Sequence, residues 1–217
     1  MNVKNPEQLE ESLKEIKALL SHLHGEVAAL ESSYFQVLQA LRRTESAADL
    51  DDLTGLWRRR AFFRKWDALL RECGKLGENC GVLMVDIDHF KRINDTHGHP
   101  TGDDVIKRIA AMLKQFEAPG KVHVGRLGGE EFVVAIRGSD AETLGIAEMI
   151  RRGGERLHGP VMDKDGNPMS NVKWRCTLSV GMASSKKDGM NPSRLLKAAD
   201  EALYTAKKKG RNQVFAA

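Results

Sequence analysis

Ten apolar residues near the start of the chain keep a single rhythm. Leu9, Leu13, Ile16, Leu20, Leu23, Val27, Leu30, Tyr34, Val37 and Leu41 follow one another in alternating steps of four and three. That period belongs to an α-helix whose apolar seam lies along another helix. It excludes a strand, where one face recurs at every second residue. The positions between are rich in Glu, Lys, Gln and Ser. Alone, such a helix would leave its seam in water, so it requires a partner. A parallel homodimer is expected, in preference to a seam packed on the chain's own domain. Gly25 weakens the helix locally by about 1 kcal/mol. Fraying is expected over 44–51, where polar and acidic residues gather.

Beyond the seam, strand and helix patterns alternate. A helix fits 60–73, with Phe62, Phe63, Trp66, Leu69 and Leu70 on its inner side. A strand fits 80–87. Helical patterns follow Asp88 and Gly102, the second running through Val105, Ile109 and Leu113. A helix over 140–157 is loosened by Gly153 and Gly154, and 163–167 reads as a turn. A strand runs from Trp174 to Ala183, a last helix from Pro192 or Ser193 to Lys209, and Val214-Phe215 forms a closing edge strand. Strands interleaved with helices imply a central sheet covered by helices. No internal repeat exists beyond the heptads.

Two places in this segment carry acids where chemistry can use them. Gly81-Val82-Leu83-Met84-Val85-Asp86-Ile87-Asp88 is an apolar run ending in carboxylates, the mark of a buried central strand. Its C-terminal end lies where open sheets bind ligands. Gly128-Gly129-Glu130-Glu131-Phe132 stands between Val122-His123-Val124 and Phe132-Val133-Val134-Ala135-Ile136, a hairpin with glycine at the bend. The glycines allow positive φ and close approach of a phosphate. The acids stand where a divalent cation could bridge them to a nucleotide, and Asp86 and Glu130 could meet if the two strands are neighbours.

These motifs together resemble the GGDEF domain, the catalytic domain of diguanylate cyclases. Asp86-Ile87-Asp88-His89-Phe90-Lys91-Arg92-Ile93-Asn94-Asp95, then Gly98-His99 and Gly102-Asp103, resembles its first half. Gly128 to Phe132 matches the signature hairpin in its GGEEF form. Asp51-Asp52-Leu53-Thr54-Gly55-Leu56 resembles the family's opening motif, Thr177-Leu178-Ser179-Val180-Gly181 an internal strand, and the stretches 199–207 and 210–212 its closing motif. Five motifs in family order span 50–215. The resemblance implies an α/β (α+β) fold, a central, mostly antiparallel sheet flanked by helices, related to nucleotidyl cyclase and polymerase palm domains. It divides the chain into a coiled-coil dimerisation helix, 1–47, and a GGDEF domain, 48–217.

By the same resemblance, two GTP condense into cyclic di-GMP and two pyrophosphates, with Mg²⁺ as cofactor and Mn²⁺ as a substitute. Asp86, the Ile87 carbonyl and Glu130 hold the metal. Glu131 activates the hydroxyl or holds a second metal; the division of labour between the two glutamates stays open. Lys91 is the transition-state cation. Backbone amides at His89 and Phe90 face the phosphates at a helix start, Gly128 and Gly129 let the substrate approach, and Lys207 and Arg211 hold the terminal phosphates. Asn94 and Asp103 read guanine. A carboxylate accepts from N1–H and the exocyclic amine, a pair that adenine lacks. His99 is a further substrate-side residue or a turn stabiliser. His97 and His99 are poor ligands for Mg²⁺. Because one domain holds one GTP, two must face each other, and dimerisation is then part of catalysis. A catalytically silent nucleotide-binding module is the alternative.

Composition narrows the partners. The 34 basic and 30 acidic residues are interspersed, which argues against a duplex-binding face despite a net charge of +4. No apolar run approaches a membrane span, and Met1 to Pro6 lacks the apolar core of a leader peptide. Three cysteines, Cys73, Cys80 and Cys176, suit free thiols in a reducing cytoplasm. An upstream sensor or regulator is a further expected partner. Two departures from the family stand out. The Arg-x-x-Asp product-inhibition motif would fall on Pro119 and Val122 and is absent, so feedback by that route is not expected. Arg58 stands where relatives usually have Asn.

Overall fold

The eight-residue apolar run at 80–87 is buried at every position and forms the middle of the sheet in the computed structural model. That structure describes the backbone of residues 6–217 and the side chains of 10–37, 49–169 and 172–217. The stretch 1–5, read above for a leader, lies outside the described residues, as do the side chains of Leu9 and Leu41. Contacts divide the chain into two units, Met1–Ala48 and Asp49–Ala217.

The first unit is α1 (Pro6–Ala48), which ends within 44–51, the stretch where fraying was expected. From Leu13 to Val37 the seam residues are 50–73 % exposed, including Leu20, Leu30 and Tyr34. No described helix is long and apolar enough to cross a membrane.

The second unit runs β1 (Trp57–Arg58), α2 (Arg59–Leu76), β2 (Cys80–Ile87), α3 (Phe90–His97), α4 (His99–Lys114), β3 (Val122–Gly128), β4 (Glu131–Arg137), α5 (Asp140–Arg156), β5 (His158–Met162), β6 (Pro168–Arg175), β7 (Leu178–Ser184), α6 (Ser185–Asp188), α7 (Pro192–Lys208) and β8 (Val214–Ala216). Six strands form one sheet in the order β1-β3-β4-β2-β7-β8, and β5-β6 forms a separate hairpin. The central pairings, β3-β4, β4-β2 and β2-β7, are antiparallel; the edge pairings, β1-β3 and β7-β8, are parallel. This is the mixed, mostly antiparallel sheet expected from the sequence.

Alternation along β2 sorts the core into two layers. Val82 and Met84 face Phe62 and Trp66 of α2 and Leu195 and Leu203 of α7. Leu83 and Val85 face Val105 and Ile109 of α4 and Ile150 of α5. Asp86 keeps the parity of Val82 and Met84, so it emerges on the face that α7 covers. The thiols of Cys73, Cys80 and Cys176 are all buried and free.

Three local expectations need correction. α4 starts at His99, before Gly102, with Pro100 seated in its first turn. α5 runs unbroken through its glycine pair. A Cβ on Gly154 would lie 2.5 Å from Leu178, so the residue is small to let helix and strand approach. The single strand expected over 174–183 is two strands, because β6 leaves the main sheet and turns back on β5 through Asp163, whose backbone and side chain close the 163–167 turn. At the position where relatives usually have Asn, Arg58 donates to the Leu50 carbonyl at 2.6 Å and to Asp52 at 2.5 Å.

Candidate active site

Asp86 ends the apolar part of β2 with a side chain only 7 % exposed. Its opposite numbers are Glu131 on β4 and Ser179 on β7. Residues directly opposite in an antiparallel pair share a face, with Cβ atoms about 5 Å apart. Asp86 and Glu131 are therefore neighbours, and Glu130 stands one residue earlier in the bend. Burial raises the Asp86 carboxyl; Lys207 draws it down, Glu130 and Glu131 repel it, and the balance lies at about 6. Lys207 reaches Asp86 from α7 at 2.7 Å.

The sequence pairs Asp86 with Glu130; the register puts Glu131 squarely across from it. The hairpin loop is Gly129-Glu130, with φ of 148° at Gly128 and 52° at Gly129. A Cβ on either would meet nothing within 4 Å, so these glycines serve backbone conformation, not space. A register shift between Arg126 and Gly128 re-aims the bend.

Arg126 holds this bend, a role that motif reading missed. Its Nε and Nη2 donate to the Gly129 carbonyl at 3.0 and 2.8 Å, and its Nη1 to Asp51 Oδ1 at 2.8 Å. Asp51 also accepts from the Thr54 amide and hydroxyl. Burial pushes the Asp51 carboxyl up, but Thr54 and Arg126 outweigh it and hold the group below its usual range. The opening motif and the signature hairpin are thus tied together through one guanidinium.

The next stretch opens a helix. His89 takes a left-handed conformation, φ 57°, and caps α3. The Arg92 and Ile93 amides turn back to its carbonyl, and a helix start leaves its first amides open to an anion. Lys91 is exposed in that first turn. Phe90 and Ile87 are both buried, so neither side chain is presented to a ligand. His97 and His99 lie at the end of α3 and the start of α4. No group of three or more His, Cys, Asp or Glu forms a metal cluster among the described residues. Asp86, Glu130 and Glu131 are thus not gathered tightly enough to count as one, although carboxylate and carbonyl oxygens suit a hard divalent ion.

Asn94 lies against α4. Its Oδ1 is buried without a hydrogen-bond partner, and a Cβ on Gly102 would sit 1.9 Å from it. Asp103, next in the chain, is exposed. Gly102→Ala should therefore destabilise the protein by about 1–3 kcal/mol, because both Asn94 and Phe90 must move. Thermal denaturation checks this; an unshifted midpoint would show that the α3–α4 seam yields freely.

Arg211 follows α7 in another left-handed residue, φ 65°. The structure thus gathers Asp86, Glu130, Glu131 and Lys207 at one sheet end. It sets Asn94 beside Gly102 on the α3–α4 seam. It also reveals one change from the expected contacts: Lys207 engages Asp86.

The family model described as "Diguanylate cyclase, GGDEF domain" matches residues 48–213. The probable diguanylate cyclase DgcT of Escherichia coli K12 is 37 % identical over 179 residues, 82 % of this chain and 38 % of that protein. The response regulator PleD of Caulobacter vibrioides is 39 % identical over 172 residues, 76 % of this chain and 35 % of that protein. The chain thus spans little more than a third of these curated relatives. Among solved structures, the coiled coil and GGDEF domain of DgcB from Caulobacter crescentus, in complex with c-di-GMP, superimposes with a TM-score of 0.75 at 31 % identity. The match covers 90 % of this chain and 99 % of that one.

Proposed function

This chain belongs to the GGDEF family of diguanylate cyclase domains, and from that premise we propose that it condenses two GTP into cyclic di-GMP. In each half-reaction a ribose 3′-oxygen attacks the α-phosphorus of the facing GTP. The new P–O bond forms as the bond to the β-phosphate bridge breaks, and pyrophosphate leaves. Two half-reactions close the ring.

The observation that supports this reading is the convergence of Asp86, Glu130 and Glu131 at one sheet end, where each of the glutamates raises the Asp86 carboxyl. Such a surplus of negative oxygen calls for a cation, and the donor set is one that Mg²⁺ or Mn²⁺ accepts. Asp86, Glu130 and the Ile87 carbonyl would hold it. The ion, when bound, neutralises triphosphate charge and acidifies the attacking hydroxyl. Glu131 takes the hydroxyl proton. Lys91 balances charge on the transferring phosphoryl, and the amides at His89 and Phe90 receive phosphate oxygens beside Gly128 and Gly129. Lys207 leaves Asp86 for the terminal phosphates, which it shares with Arg211.

Guanine is the base of choice because Asn94 Oδ1 is a buried acceptor lacking a donor. Guanine N1–H and its exocyclic amine supply donors to it and to the Asp103 carboxylate; His99 flanks the same side. A buried acceptor left unpaired costs about 1–3 kcal/mol, so adenine is penalised. A second subunit, held by the α1 seam of residues 1–47, brings the facing GTP. An upstream sensor or regulator acting through α1 completes the scheme.

Incubation with GTP and Mg²⁺, followed by mass analysis of the products, tests the assignment, with ATP in parallel. Cyclic di-GMP is expected from GTP and no product from ATP. Binding of GTP without any cyclic dinucleotide would mark a silent module instead. Glu131→Gln should lower turnover at least a hundredfold, within the range of general-base catalysis, with an unshifted melting midpoint.

A further inference from the structure

One buried carboxylate has no part in the chemistry above. Asp88 is 4 % exposed. Its Oδ1 accepts from the Ser179 hydroxyl at 2.7 Å, and its Oδ2 accepts from the Thr177 hydroxyl at 2.7 Å and from the Asn212 amide at 3.0 Å. Asn212 and Arg211 take φ of 44° and 65°. The third left-handed residue other than glycine is His89, immediately after Asp88. Among the described residues, then, His89 follows Asp88 in the chain, Asn212 donates to its side chain, and Arg211 immediately precedes Asn212. Left-handed residues other than glycine are strained and persist where their surroundings over-determine them.

The turn is also held from outside. Arg151 donates to Asn212 Oδ1 at 2.9 Å, and Asn212 Nδ2 donates to Glu155 at 3.2 Å. Arg151 is itself paired with Glu148 and Glu155. The Arg211 amide closes back on the Ala206 carbonyl at 3.0 Å, one residue before Lys207. Asp88 thus joins the end of the strand that carries Asp86 to the turn that carries Arg211.

We propose that Asp88 is a positioning residue that holds Arg211 in place for the terminal phosphates of the nucleotide. The proposal rests on the GTP reading above and deepens it. A side chain that only knitted the sheet end together would affect every ligand of the site alike. One that sets Arg211 affects the triphosphate alone, because GMP has nothing for that guanidinium to grip.

Calorimetric titration in Mg²⁺ with the α,β-methylene analogue of GTP and with GMP separates the two. Asp88→Asn keeps the volume but presents an amide to hydroxyl and amide donors. It should weaken the triphosphate analogue about tenfold, or 1.4 kcal/mol, and GMP less than twofold. Combined with Arg211→Ala, it should add less than twofold, since coupled residues are non-additive. Equal losses for both nucleotides, full additivity with Arg211→Ala, or unchanged affinity would each overturn the proposal. If Asp88→Asn fails to fold, Arg151→Met loosens the same turn from the outer side and must give the same pattern. Wild-type protein that binds neither nucleotide overturns the GTP reading and this inference with it; loss of selectivity in the variants alone leaves the GTP reading standing.

Discussion

Asp86→Asn should yield a protein that melts higher than wild type without metal and turns over at least a thousandfold more slowly. Both effects come from one buried carboxylate. Burial disfavours its charge, Lys207 only partly compensates, and Glu130 and Glu131 add repulsion, so the group sits at about 6. An unfolded aspartate ionises near 3.8. The folded state therefore holds the proton more tightly. Its contribution to stability is complete below about pH 4 and is lost as pH rises through about 6. At pH 7 the carboxylate is ionised against its surroundings, at a cost bounded by about 3 kcal/mol. Asparagine removes that cost and forfeits the Lys207 pair, leaving a net gain of about 1–2 kcal/mol, or about 2–4 °C for each. On the proposed reading, turnover falls because one of the cation's anionic ligands is gone; a thousandfold loss corresponds to about 4 kcal/mol of transition-state stabilisation. Melting curves in chelator at pH 4.5 and 7, then with Mg²⁺, check this. Relative to the variant, wild type should lose stability between those pH values as Asp86 ionises and recover it with Mg²⁺; groups shared by the two proteins cancel in that difference. A variant that melts lower at pH 7 and still responds to Mg²⁺ would contradict both halves of the argument.

What could be read from sequence was what depends on near neighbours. β2 announces itself as an unbroken apolar run, and the hairpin by two glycines between alternating strands. The seam of α1 needs only its own period. β1 is two residues long and β5 contains Gly159 and Pro160, so neither offers a pattern to detect. The roles of Arg126 and Asp88 stayed hidden for a different reason. Arg126 falls in no motif and Asp88 reads only as one of the acids ending an apolar strand, while partners that hold them lie 75 and 124 residues away in the chain, at Asp51 and Asn212. Lys207 matched its family position, but only packing could reveal that it neutralises Asp86. Motifs report which residues gather; they do not report the second layer that holds them.

Deleting residues 1–45 should make activity depend steeply on protein concentration. Every residue of the sheet core lies within 49–217, so the shortened chain retains the site. It loses the seam, whose described residues are at least half exposed in the single chain. Two sites joined through their stalks see each other at an effective concentration of about 1 mM, as short tethers provide. Free domains at 100 nM would meet about ten-thousandfold less often, by that same arithmetic. Specific activity should therefore fall at least a hundredfold at nanomolar protein and climb as the domain is concentrated, while the full chain stays flat on dilution. Thermal melting should be nearly unchanged, which separates lost encounter from lost fold. Fusing an unrelated parallel two-stranded zipper at residue 46, in the same helical phase, should restore the flat profile. If it restores dimerisation without activity, the stalk's own geometry sets how the two half-sites face. Undiminished specific activity of the shortened chain on dilution would show that facing domains find each other unaided, and the seam would then need another purpose.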